Sequence, residues 1–174
     1  EGMGKTVREM IGTAHYLNLS MFKPWLNDVG LYFYRDGDKA VASNNVNLGT
    51  SDSYTLETRI NLGYPQEEDW LRVMGFSSAS RNMEIQIRDK DMRLVEQNHI
   101  WLAENVLPQE KAWSHVVITV DSSNVNFYVD GKMVATKPAG ISMNRVFNGK
   151  FSIGESSTME GFVGHIADIR MYLS

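Results

Sequence analysis

The chain has 174 residues, 43% apolar and 22% charged, enough for one domain with its own core and too few for two of ordinary size. Lys and Arg number 17 against 21 Asp and Glu, a net charge of −4, so no basic surplus is available to neutralise a phosphate backbone and no nucleic-acid partner is expected. The lack of cysteine excludes disulfide scaffolds, thiolate metal sites and cysteine nucleophiles. The longest apolar runs, such as Val116 to Val120, fall far short of the ~20 residues that span a bilayer, so no membrane insertion is expected.

The first thirty residues differ from the rest. Val7, Met10, Ile11, Ala14 and Leu17 recur at the spacing of one helix face, and Thr6 with Glu9 has the spacing of a capping box. This pattern predicts a short helix over residues 6–17. Gly12 within it costs on the order of 1 kcal/mol relative to Ala, so the helix should lean on a neighbour. Gly4-Lys5-Thr6 has the form of a phosphate-loop ending, but without the first glycine or a preceding strand it is read as a solvated helix start. Pro24 and Gly30 close the segment, so residues 1–30 are expected to form a helix or linker and residues 31–174 the main domain.

From Leu31 the period changes to two, and β-branched and aromatic residues dominate. Tyr54, Leu56, Thr58, Ile60 and Leu62 alternate with Thr55, Glu57, Arg59 and Asn61; Met83, Ile85 and Ile87 alternate with Glu84, Gln86 and Arg88. Val125, Phe127 and Val129 run into Asp130-Gly131, a pair suited to the positive φ angles of a two-residue hairpin turn. Asn148-Gly149 predicts a further turn, and residues 162–173 a long closing strand. About ten short strands at regular spacing after one helix predict an all-β, two-sheet antiparallel sandwich.

Four stretches carry a family resemblance: Gly37 to Ala42 with Asn47-Leu48-Gly49 and Tyr54 to Glu57; Trp113 to Asp121 running into Asn126 to Gly131; Phe151 to Gly154; and Phe162 to Tyr172. Present in this order, they resemble the laminin-G-like jelly rolls of the concanavalin A-like lectin and glucanase group, bacterial type. The resemblance implies a jelly-roll sandwich with Trp113 and Phe127 in its core, and a function seated on an outer sheet face and its rim loops. It also implies a structural calcium held by Asp168 and the turn around Asp36, hard oxygen donors of the kind that ion prefers. The alternative is that Asp168 pairs with Arg170 or a lysine and Asp36 shapes a turn.

The hydrolases of that group place two carboxylates on one strand, because glycoside cleavage needs a nucleophile and an acid. Here Glu84-Ile85-Gln86-Ile87-Arg88 offers one carboxylate, an amide and a guanidinium, so no enzyme is expected. His15, His99, His115 and His165 form no metal-ligand pair, and Ser53, Ser114 and Ser152 lack a nucleophile elbow.

Sugars are held by aromatic rings against pyranose faces and by planar polar groups against hydroxyls. Trp70 and Arg72 fall on one face of a strand, Glu84, Gln86 and Arg88 share a face of the next, and Arg81 lies at the turn between them. Trp101, out of phase with Ile100 and Leu102, is expected to be exposed as a second stacking platform; Tyr64 falls in a loop. The expected function is noncatalytic, lectin-like binding of a polysaccharide or glycan, with Trp70, Arg72, Arg81, Gln86, Arg88 and Trp101 as ligand contacts. The alternative is a protein-interaction or spacer domain with no sugar site, and a third reading is a glycoside hydrolase with a carboxylate pair assembled from distant loops. The chain opens on Glu1 and is expected to be a piece of a larger extracellular, cell-surface or periplasmic protein with covalently linked neighbouring domains, its targeting segment lying outside this sequence.

Overall fold

The structure is a computed structural model. It describes residues 6–8, 16–19, 25–27, 30–33, 38–42, 45–63, 69–78, 82–108, 112–140, 145–154 and 162–173. These hold the strands β1 (Thr6–Arg8), β2 (Tyr16–Leu19), β3 (Trp25–Asn27), β4 (Gly30–Phe33), β5 (Lys39–Ala42), β6 (Val46–Ser51), β7 (Tyr54–Leu62) and β8 (Leu71–Ser77). They continue with β9 (Asn82–Arg88), β10 (Asp91–Glu96), β11 (His99–Ala103), β12 (Trp113–Val120), β13 (Asn124–Val129), β14 (Lys132–Pro138), β15 (Arg145–Gly154) and β16 (Gly164–Leu173). No helix occurs among the described residues.

Every pairing is antiparallel. A nine-stranded sheet runs β1-β2-β5-β15-β8-β9-β10-β11 with β6 also on β15, and a seven-stranded sheet runs β14-β13-β12-β7-β16-β4-β3. The expected all-β sandwich is therefore present. Its layers follow from the two-residue period: in β7, Tyr54, Leu56, Thr58, Ile60 and Leu62 are buried while the residues between them are half-buried or exposed. Phe33, Leu56, Ile87, Leu94, Ile118 and Phe127 are among the fully buried core residues.

Asp130 and Gly131 have φ of 51° and 77°, the double positive twist of a tight hairpin between β13 and β14. The Asp130 side chain pins this turn to β12: the His115 amide donates to Asp130 Oδ1 at 2.8 Å, and the Asp130 amide donates to the His115 carbonyl at 2.8 Å.

Three expectations need correction. Of the helix expected over 6–17, residues 6–8 and 16–17 lie in β1 and β2, which pair with each other, and β2 pairs with β5; residues 9–15 lie outside the described residues. An open sheet edge offers these residues a full hydrogen-bonding ladder, and that outweighs a local three-and-four spacing with Gly12 in its middle. Asn148-Gly149 is no turn. Strand β15 runs straight through it, pairing over Arg145–Gly149 with β6 and over Lys150–Gly154 with β8 and β5. Gly149 is needed for close approach instead, since a Cβ there would fall on the Ser77 carbonyl. Finally, Trp113 is only half-buried and its neighbour Ser114 is buried, so Trp113 belongs to the outer face of the seven-stranded sheet and not to the core.

Candidate ligand-binding face

The outer face of β8, β9 and β10 is built in two storeys. The register places Arg72 opposite Gln86 and Gln86 opposite Arg93, one row across three strands. A register shift between Arg72 and Met74 lets β8 keep Leu71 and Met74 opposite core residues Ile87 and Ile85 while Arg72 points outward. Although it lies on an outer face, the lower storey is sealed: Arg72 and Gln86 are each only 2% exposed.

Its groups are linked to one another, although Arg72 Nε makes an ion-pair contact and not a hydrogen bond. Arg72 Nε lies 3.3 Å from Glu84 Oε1, Gln86 Nε2 donates to Glu84 Oε2 at 2.6 Å, and Arg93 Nε donates to Gln86 Oε1 at 2.6 Å. The Arg72 guanidinium lies across Gly75, where any Cβ would collide with it. Burial pulls the Arg72 pKa down against the opposing pull of Glu84, but a guanidinium starts so high that it stays charged.

The upper storey is Trp70 with two cations. The Arg88 guanidinium carbon sits 4.6 Å from the Trp70 ring centre and that of Arg93 3.8 Å. Such contacts with an indole hold a cation without a carboxylate. Burial, followed by repulsion from Arg88, lowers the Arg93 pKa, with Glu84 acting the other way. Arg88 Nη2 lies 3.5 Å from Asp91 Oδ2, while Asp91 Oδ1 accepts the Asn105 amide at 2.9 Å.

Of the six ligand positions expected from the sequence, Trp70, Arg72, Gln86 and Arg88 come together here, with Arg72 and Gln86 as the supporting bed rather than as contacts. Arg81 lies outside the described residues, as does Tyr64. Trp101 is a correction: it is 6% exposed and its indole N–H donates to the Pro138 carbonyl at 3.0 Å, so no sugar can stack on it. Its strand faces the core with Trp101 and Ala103 and turns Ile100 outward. Arg93 was missed, although Arg88-Asp89-Lys90-Asp91 is a tight turn with Asp89 at φ 50° that brings Arg93 opposite Gln86.

Asp168 lies 3.7 Å from Arg59 Nη1 and 3.7 Å from Arg170 Nη2. Asp36 lies outside the described residues, and among those described no group of three or more His, Asp or Glu side chains gathers.

The outer face of the seven-stranded sheet carries a second polar cluster, but a closed one. Tyr32 pairs with His165, His165 with Asn61 and Asn61 with Trp113, one row over β4, β16, β7 and β12. The Tyr32 and His165 rings stack at 4.5 Å, and Arg59 rests 5.3 Å from the Trp113 ring centre. Glu57 accepts from Arg170 Nη1 at 2.9 Å and Tyr172 Oη at 3.2 Å, with His115 Nε2 at 3.0 Å. Burial alone would raise the Glu57 carboxyl, but hydrogen bonds to His115 and Tyr172 and the Arg170 cation hold it below its ordinary value. A depressed carboxylate favours the folded state above its unfolded pKa, and that help fades as pH falls through the folded one. A carbon-detected titration should therefore find Glu57 ionising below an ordinary glutamate, and Arg170→Met should move it upward; an unshifted midpoint in both would refute the arrangement.

Two antiparallel sheets in this order define a jelly-roll sandwich of the lectin type. The sequence pattern of the concanavalin A-like lectin/glucanases superfamily matches residues 35–174, and the chain belongs to that superfamily. No curated protein matches the chain in sequence. Among solved structures, the binding domain of botulinum neurotoxin serotype D superposes with a TM-score of 0.70 at 11% identity, over 96% of this chain and 46% of that one. The same toxin domain has been solved in complex with N-acetylneuraminic acid, with a TM-score of 0.68 to this chain. Domain 4 of AbnA, an extracellular arabinanase of Geobacillus stearothermophilus in complex with arabinotriose, matches with a TM-score of 0.65 at 16% identity, over 93% of this chain and 76% of that one. A mutant sialidase of Trypanosoma rangeli matches with a TM-score of 0.61 at 14% identity, over 91% of this chain and 27% of that one. The chain thus spans under half of the toxin domain. Identities this low establish a shared fold.

Proposed function

We propose that this chain is a noncatalytic carbohydrate-binding module, joined to neighbouring domains in a larger bacterial protein that works outside the cytoplasm, at the cell surface or in the periplasm. The observation that carries the reading is the upper storey of Trp70, Arg88 and Arg93, planar groups held in place by a sealed network of Arg72, Glu84 and Gln86. Preorganised planar donors are what sugar hydroxyls require, and ordering cost is already met before the ligand arrives. The solved neighbours that hold arabinotriose and N-acetylneuraminic acid support the reading at the level of fold. Glu84 is already engaged by a guanidinium and an amide, and its strand offers Gln86 and Arg88 where a hydrolase needs its second carboxylate, which supports binding over cleavage.

Affinity electrophoresis through gels carrying a panel of polysaccharides tests this. The chain should be retarded by at least one of them, and Trp70→Ala should abolish the retardation with little change in thermal midpoint, because Trp70 is only half-buried. Mobility unaffected by every polysaccharide would overturn the proposal.

A further inference from the structure

We infer that the ligand of the Trp70 face is an acidic saccharide, whose carboxylate is gripped by the paired guanidinium groups of Arg88 and Arg93. The inference rests on the carbohydrate reading and adds a substrate class to it.

Charge arithmetic on this face leads there. Within β8, β9 and β10, Arg72, Arg88 and Arg93 bring three positive charges against Glu84 and Asp91, an excess cation in the strand row itself, while Asp69 next to Trp70 and Asp89 and Lys90 in the turn carry the charges at its ends. The carboxylates are also unevenly shared. Glu84 is committed to the sealed storey beneath, and Asp91 reaches Arg88 at only 3.5 Å while also accepting the Asn105 amide. Among the described residues, Arg93 has no carboxylate within ion-pairing distance: its Nε is used on Gln86 and its plane rests on Trp70. Its terminal N–H groups have no hydrogen-bond partner among the described residues, and a second guanidinium rests on the same indole.

Two like charges drawn onto one ring repel each other, and a bound anion would relieve that repulsion. A carboxylate fits better than a point anion, because its two oxygens match the fork of a guanidinium. The ring carbons of a uronic or sialic acid would then lie against the planar upper storey. The other sheet shows the contrast: Arg170 there lies 2.9 Å from Glu57, and Arg59 and Arg170 each lie 3.7 Å from Asp168, so among the described residues both arginines of that outer cluster have a carboxylate within ion-pairing distance.

The test compares polygalacturonate, alginate and polysialic acid with arabinan, xylan and amylose in affinity gels, and measures the dissociation constant of the best oligosaccharide by calorimetry at low and moderate salt. We expect retention by an acidic polymer, weakened by salt, and lost about 10-fold or more in Arg93→Gln, the size expected of a charge-assisted hydrogen bond. Arg93→Lys keeps the charge without the fork and should fall between. Methyl-esterifying the carboxylates of the polymer should have the same effect as Arg93→Gln. Retention by neutral polysaccharides alone, lost in Trp70→Ala, would overturn this inference and leave the carbohydrate reading standing. Acidic retention unchanged in both Arg88→Gln and Arg93→Gln would also overturn it, and no retention by any polymer would end both readings. Thermal midpoints of the variants, matched to the parent, exclude loss through unfolding.

Discussion

Glu96→Ala is expected to remove about 3–5 kcal/mol of stability, the usual cost of leaving one buried charge without its partner. For a chain of this size that lowers the thermal midpoint by roughly 6–20 °C. Glu96 lies opposite Met83 in β9, a position the strand period assigns to the core, and both Glu96 and Arg145 are sealed there. Arg145 Nε donates to Glu96 Oε1 at 2.8 Å and Oε2 at 3.0 Å, Tyr54 Oη donates to Glu96 Oε2 at 3.2 Å, and Arg145 Nη1 donates to the Asp52 carbonyl at 2.6 Å. Removing the carboxylate strands the Arg145 cation among Phe76, Met83 and Phe147, where water reaches it poorly. The pair itself need not be stabilising, because desolvating two ions offsets most of their attraction. Glu96→Met combined with Arg145→Met should therefore recover most of the loss. Denaturant unfolding of the single and double variants decides it, and a single variant costing under about 1 kcal/mol would show that the charge is not sealed.

Gly75→Ala should damage stability and binding together. The added Cβ would occupy the place of the Arg72 guanidinium, which is 2% exposed and can give way only by leaving its buried position. Arg72 must swing out, Glu84 loses its buried partner, and the bed beneath Trp70 and Arg93 is broken. A loss of about 2–4 kcal/mol is expected, in the range for a disrupted buried ion pair. Polysaccharide retention should fall with it, since Arg93 of the upper storey is bonded to Gln86 of the lower one. Arg72→Met together with Gly75→Ala removes the collision and should regain stability without regaining binding. If Gly75→Ala binds as the parent does, the two storeys are not coupled.

Much of this was legible in the chain. The alternation from Tyr54 to Leu62 and from Met83 to Ile87 named the buried rows, and Asp130-Gly131 marked its hairpin, because both depend on the side-chain period and on local φ angles alone. The grouping of Trp70, Arg72, Gln86 and Arg88 followed from the same period applied to adjacent strands. What the period could not tell was depth. Arg72 and Gln86 proved to lie beneath the surface, and Arg93, which bonds Gln86 and rests on Trp70, arrives from a third strand.

The two misplaced tryptophans show the same boundary. Alternation says which residues share a face; where both faces carry apolar groups it does not say which face meets the other sheet. Trp101 and Trp113 therefore exchanged the places expected of them, one sealed against Pro138 and the other half-open beside Arg59. Likewise β2 and the course of β15 past β6, β8 and β5 exist because partner strands remote in sequence present free N–H and C=O groups. The amino-acid order by itself thus determined an all-β sandwich, its Asp130-Gly131 hairpin and the polar row of one outer face, since these arise from neighbours along or beside a strand. Only the tertiary structure decided which charges are buried, which rings meet solvent and which guanidinium, among the described residues, has no carboxylate within ion-pairing distance, because those depend on what distant segments bring to lie on top.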